Sequence, residues 1–226
     1  MLKLISSMAT REVLVELAAL WRQGSGTEVS IESVGGVDAA KRVQAGEAFD
    51  GVVLASDAID KLMADKQVLA GSRCDLVRSS VAVAVKAGTP VLDISTESAL
   101  RSAVQAAPTI GYSTGPSGVA LIKLFERWGI VEALQTRLVQ APAGLPVGTL
   151  VARGEVALGF QQLCDLMHLE GVTVVGTLPE AVAITTVFSA ATCTASTQGK
   201  TLARFLAFMA TQQAMSVKLR HGMQPV

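Results

Sequence analysis

The sequence predicts an α/β protein built on mainly parallel sheets, and three observations carry that prediction. Strand-sized apolar runs alternate along the chain with runs whose apolar residues recur at helical spacing. Four short Ser/Gly-rich turns each stand between a strand-like and a helix-like run: Ser6-Ser7-Met8-Ala9-Thr10, Ser33-Val34-Gly35-Gly36, Tyr112 to Gly118, and Gly144-Leu145-Pro146-Val147-Gly148. Half of the 226 residues are hydrophobic and 17% are charged, enough apolar material for a substantial core.

The elements follow in order. Leu2 to Ser6 reads as a strand, and Val13, Leu14, Leu17, Leu20 and Trp21 give Arg11 to Arg22 a helical period that Gly24-Ser25-Gly26 ends. Val29 to Ser33 alternates as a second strand, Val37 to Ala45 is a short helix, Gly51 to Ala55 a continuous apolar strand and Ala58 to Ala64 a helix. Leu76 to Lys86 is a long strand interrupted by Arg78-Ser79-Ser80. A second set repeats the order: helix 98–106, strand 109–112, helix 118–128, strand 137–140, helix 149–153, and strands 157–161 and 173–175. Ile184 to Cys193 reads as another strand, and Lys200 to Lys218 as one closing amphipathic helix. Two alternating sets, each followed by a long strand, suggest two lobes, 1–80 with 187–226 and 81–186, joined by crossings near 80 and 182–188.

Several function classes are excluded or disfavoured. Nineteen basic residues balance nineteen acidic ones without a basic cluster, which argues against a nucleic-acid partner. No apolar run approaches the roughly 20 residues of a membrane helix. Cys74, Cys164 and Cys193 are too dispersed for a CxxC motif and odd in number, so they read as buried free thiols. His168 and His221 have no neighbouring ligand pattern; no metal site and no cofactor are expected. The start, Met1 to Ile5, lacks a signal peptide's apolar core, so the chain reads as cytoplasmic as written, or as a mature form whose leader Met1 replaces.

The turns carry the functional reading. A helix start presents free N–H groups and the positive end of its dipole, which suits an anionic small molecule. Ser7 and Ser33 read either as N-caps or as ligand donors. Ser113, Ser117 and Gly118 form the strongest nest; its alternative is a plain loop with Pro116 at a helix entrance. Gln161 and Gln162 close a strand, and alternation sends them to opposite faces. Asp50, ahead of a buried strand, reads as a structural cap or pair.

Together these segments resemble the molybdate-binding branch of the periplasmic type 2 solute-binding proteins. The resemblance covers nearly the whole chain: Ser6-Ser7-Met8, Ser33 to Gly36, Ala45 to Ser56, Gly71 to Ser79, Tyr112 to Gly118 and Leu150 to Phe160, in that order and spacing. It implies a two-lobed fold, with two mixed or parallel sheets flanked by helices and a ligand cleft between the lobes. It also implies a periplasmic mature form and an ABC permease as partner. The ligand-binding residues expected from the turns, the resemblance and the charge pattern together are Ser6, Ser7, Met8, Ser33, Gly35, Gly36, Arg78, Ser79, Ser113, Ser117, Gly118, Val147 and Gln162. Two departures point away from molybdate. Gly35-Gly36 stands where such proteins present a run of serines, and Gln162 stands where they have a tyrosine.

Arg78 points to an organic acid, because a guanidinium grips a carboxylate through two parallel hydrogen bonds. Its alternative partners are Asp75 and Asp50. The leading expectation is therefore a binding protein that captures a small anion, a carboxylate rather than molybdate. The alternative is an isomerase of unsaturated tricarboxylates such as aconitate, to which some proteins of this branch belong. It would place Ser7, Ser33 or Gln162 beside the migrating proton, although no acid except Glu32 falls in the turns. A ligand-sensing domain without a transport partner is a third reading.

Overall fold

The computed structural model describes residues 1–226. In chain order the elements are β1 (Leu2–Ser7), α1 (Arg11–Ser25), β2 (Val29–Val34), α2 (Gly36–Gln44), β3 (Gly51–Ala55), α3 (Ser56–Ala64), β4 (Cys74–Lys86), α4 (Glu97–Ala106), β5 (Ile110–Tyr112) and α5 (Pro116–Arg127). Then follow α6 (Val131–Leu134), β6 (Leu138–Gln140), α7 (Val147–Arg153), β7 (Leu158–Gln162), α8 (Leu163–Leu166), β8 (Val172–Thr177), β9 (Thr185–Thr192), α9 (Gly199–Phe208), α10 (Gln212–Arg220) and β10 (Gln224–Pro225). The chain divides into two compact units, Met1–Arg78 with Val187–Val226, and Ser79–Thr186.

In the first unit β1 pairs in parallel with β2, from Leu2↔Val29 to Ser7↔Val34, and with β3, from Leu4↔Gly51 to Ser6↔Val53. The chain re-enters this unit as β9, antiparallel to β3, and its end returns as β10 against β4. β3 is buried along its whole length, as a strand covered on both faces must be. Ala39 and Val43 of α2 and Ile59 and Leu62 of α3 pack with Ile5, Val52 and Leu54. An aromatic cluster joins α1 to α9, with Trp21 centred 5.8 Å from Phe205 and 5.5 Å from Phe208. Two buried charges are tied down. Lys218 Nζ donates to the Leu76 carbonyl at 2.9 Å, and burial lowers its pKa. The Asp50 carboxylate accepts from Lys3 N at 2.9 Å, Ser196 Oγ at 2.7 Å and Gln198 Nε2 at 3.3 Å, which is the structural role its position suggests.

In the second unit β5 pairs in parallel with β6 and β7, whereas β4 runs antiparallel to both β7 and β8. One face packs Phe125, Trp128 and Phe160 with Leu100, Val104 and Leu121. Val147, Val151 and Val156, and separately Leu166 with Ala82 and Ala84, form smaller clusters. Gly118 is required where α5 begins. A Cβ there would stand 1.8 Å from the Ser113 carbonyl oxygen, so the turn closes only over a residue without a side chain.

Three expectations need correction. β4 is one unbroken strand of 13 residues; Arg78-Ser79-Ser80 does not interrupt it, because extended backbone accommodates polar residues that alternate between faces. The closing helix is two helices. Thr211 takes an extended conformation and its side chain accepts from Ala214 N, which starts α10 as a separate helix. Of the three free thiols only Cys193 is buried; Cys74 and Cys164 are half-buried. Desolvation pushes all three thiols up, that of Cys193 to about 12.

Two packing predictions follow from these contacts. Asp50→Ala leaves the Lys3 amide and the Ser196 hydroxyl without their partner, and should cost about 1–3 kcal/mol, read as a lower melting temperature. Gly118→Ala should cost about 1–3 kcal/mol through overpacking, whereas Gly24→Ala, with nothing within 4 Å of the added carbon, should not.

Candidate functional site

Parallel pairing ends β2, β1 and β3 at one edge of the first unit, and each strand passes straight into a helical turn. Ser7 closes β1 and precedes a 3-10 turn, Met8–Thr10, without capping it. It is nearly buried, and its hydroxyl lies 3.5 Å from Thr10 Oγ1. Ser6 faces the other way, fully buried, with its hydroxyl 2.7 Å from that of Ser33, the residue opposite it in the β1–β2 register. Met8 and Ser33 are half-buried.

Gly35 is the N-cap of α2 and offers no side chain, so the amides of Gly36, Val37 and Asp38 precede the first helical bond, Ala39 N to Gly35 O. A carbon added to Gly36 would meet Ser7 Cβ at 3.7 Å, which makes the start of α2 a neighbour of Ser7. α3 opens at Ser56 with no side-chain cap. The sequence reading began this helix at Ala58 and so missed a third helix start at the same edge; the signal was Ser56 following the apolar run of β3. Glu32, the acid beside Ser33, is held by Arg42, which keeps its carboxyl below the usual range.

Arg78 is exposed on β4, where its backbone pairs with Gln224 of β10, and its side chain makes no hydrogen bond or ion pair. Its two alternative partners are engaged elsewhere. Asp75 accepts from Arg73 Nε at 2.9 Å and Ser189 Oγ at 2.6 Å, and Asp50 is saturated as described.

The second unit repeats the arrangement. β5, β6 and β7 end together, followed by α5, α7 and α8. Ser113 and Ser117 hydroxyls lie 3.1 Å apart, and Pro116 occupies the first turn of α5. The α7 turn is partly closed from within: Gly148 N donates to Gln161 Oε1 at 3.1 Å, and the Val147 side chain is core. Gln161 Nε2 in turn donates to Asp165 Oδ2 at 3.0 Å. Gln162, on the opposite face of β7, donates from Nε2 to Thr186 Oγ1 at 2.8 Å. Its Oε1 is buried without a partner. Ser79 is buried, with its hydroxyl 3.4 Å from Cys164 Sγ.

Each unit thus gathers neutral donors at the carboxyl edge of three parallel strands, Ser7 and the amides that open α2 in one and Ser113, Ser117 and Gln162 in the other; Ser33 is paired with Ser6, and Gly118 N already donates to Gly115 O at 3.0 Å. Hydroxyls and amides in this setting bind anions without a compensating positive charge. Ser6, Ser79 and Val147 have side chains turned into the interior. Asp165 is the acid that sequence reading overlooked. Desolvation pushes its carboxyl up to about 6, and its only sequence signal is a place three residues beyond the end of β7.

The chain was compared with known proteins. Residues 2–224 match the family of bacterial extracellular solute-binding proteins. A relative from a Pseudomonas species, aconitate isomerase, is 33% identical over 231 residues and covers 100% of this chain and 88% of its own. The periplasmic molybdate-binding protein of Azotobacter vinelandii superposes with a TM-score of 0.83 at 20% identity, covering 99% of this chain and 98% of its own. L-phospholactate-bound PEB3, a Campylobacter jejuni protein, does so with a TM-score of 0.77 at 14% identity over 100% of both chains. The fold is therefore that of the periplasmic binding proteins, as the resemblance implies, and the chain belongs to the bacterial extracellular solute-binding protein family.

Proposed function

We propose that this protein binds a small organic polycarboxylate, the class to which aconitate belongs, in preference to molybdate. The observation that carries this reading is Arg78, a guanidinium without an acidic partner on a strand that runs from one unit into the other. A free guanidinium matches a carboxylate through two parallel hydrogen bonds, and neutral hydroxyls and amides suit the remaining charge. The name of the Pseudomonas relative points the same way, as does the organic acid bound to PEB3. As a carrier, the protein would capture this ligand outside the cytoplasm and deliver it to an ABC-type permease.

A second reading adds turnover. It is favoured by the same relative and by Asp165, a carboxyl that burial pushes up to about 6. In its ionised form Asp165 would take a proton from the allylic methylene of an unsaturated tricarboxylate. The electron pair would spread over the allyl system and the adjoining carboxylates, and the proton would return to the far carbon. Atoms and charge balance without a cofactor. Ser7 and Ser33 suit this role less well, because their hydroxyls have only other hydroxyls as side-chain partners.

Thermal-shift titration should show stabilisation by cis- and trans-aconitate and tricarballylate but not by molybdate or tungstate; the reverse pattern overturns the carboxylate reading. Arg78→Ala should weaken carboxylate binding by about 1.5–3 kcal/mol, and unchanged affinity removes Arg78 from the site. Incubation with cis-aconitate separates carrier from isomerase: Asp165→Asn should retain binding and abolish any conversion to the trans isomer. The same substitution has a stability signature. The Asp165 carboxyl titrates near 3.9 when unfolded and at about 6 when folded. Its contribution is complete below the lower value and lost as pH rises through the upper one. Asp165→Asn should therefore remove that slope and raise the melting temperature at pH 7 to 8.

A further inference from the structure

We propose that Gln162 and Thr186 form a neutral pair that reads one carboxylate of the ligand and sets ligand specificity. This inference rests on the polycarboxylate reading above and assigns that site one of its contacts. Gln162 ends β7, two residues beyond the Tyr112–Phe160 pair in the parallel β5–β7 register, and only 5% of it is exposed. One arm of its amide meets Thr186 Oγ1 at 2.8 Å. The other arm meets nothing and has no access to water. Turning the amide by half a revolution exchanges the arms without changing that count: the oxygen then accepts from the Thr186 hydroxyl and the NH2 group is left over. Either way one buried polar arm lacks a partner, at a cost to the stability of the empty protein.

Such an orphan is rare in a folded chain and calls for an explanation at its location. Here the location is the carboxyl edge of parallel strands, where sheets of this kind take ligands. In the turned state the NH2 group donates to an acceptor and Thr186 holds the amide in place. A carboxylate is that acceptor, and the amide serves it without bringing a charge into a dry site. A glutamine here also explains how the edge tolerates several carboxylates with few cations.

The test uses calorimetric titration with tricarballylate and trans-aconitate on the full chain. Gln162→Leu should raise Kd roughly ten- to hundredfold while leaving the melting temperature of the empty protein equal or higher, since the orphan is gone. A structural glutamine would instead lower it. Gln162→Glu should lose binding at pH 8 and regain part of it at pH 5, where a protonated Glu again donates. Thr186→Val should weaken binding several-fold. Binding by Gln162→Leu within twofold of the unaltered protein overturns the pair. Should that variant fail to melt cooperatively, pH-independent binding by Gln162→Glu together with full affinity in Thr186→Val overturns it. Absence of tricarboxylate binding by the unaltered protein overturns both this inference and the polycarboxylate reading, whereas binding that survives these substitutions overturns this inference alone.

Discussion

Parallel pairing of β1 with β2 on one side and β3 on the other brings three chain reversals to a single edge of the first unit. The same constraint acts on β5 between β6 and β7 in the second. A parallel strand cannot return by a hairpin, so a helix must follow it, and each helix start leaves amides that its own turn does not satisfy. Everything functional about these edges derives from that requirement. Serine and glycine are placed where side chains must be small or able to donate, and the apolar residues of the same strands hold the edge in register.

The two edges differ in how far they satisfy themselves. Ser6 and Ser33 pair with each other beneath the first edge, so Ser7 and the α2 amides remain as its available donors. In the second unit Gln161 reaches across to the α7 amide and then binds Asp165, which closes one of the four turns from inside. The remaining donors there are Ser113, Ser117 and Gln162. None of the donors described at either edge is hydrogen-bonded to a lysine or arginine side chain.

Fold class was legible because periodicity and turn chemistry agree over long stretches: the helical spacing from Val13 to Trp21 and the apolar run from Gly51 to Ala55 each admit one reading. Legibility failed where a single polar side chain decides. Thr211 divides one amphipathic pattern into two helices through a cap that leaves no mark on hydrophobic spacing. The site was legible as a set of turns but not as a set of contacts. Nothing in the order of residues reveals that Ser6 faces Ser33, that Gln161 rather than a ligand meets Gly148, or that Gln161 also binds Asp165. Those depend on register and burial, which only the folded chain defines.

The state of the thiols bears on where such a chain can work. Family membership implies an extracellular setting, where oxidants convert exposed cysteines into cross-links. Thiol oxidation and exchange require the thiolate, and desolvation shifts Cys74, Cys164 and Cys193 towards the protonated form. Folding thus makes these thiols less reactive towards disulfide exchange, although the protein carries no internal bridge. The vulnerable interval is before folding is complete, when the same three groups are solvated and reactive. Folding then does for this chain part of what disulfide pairing does for many exported proteins: it buries Cys193 and partly covers Cys74 and Cys164.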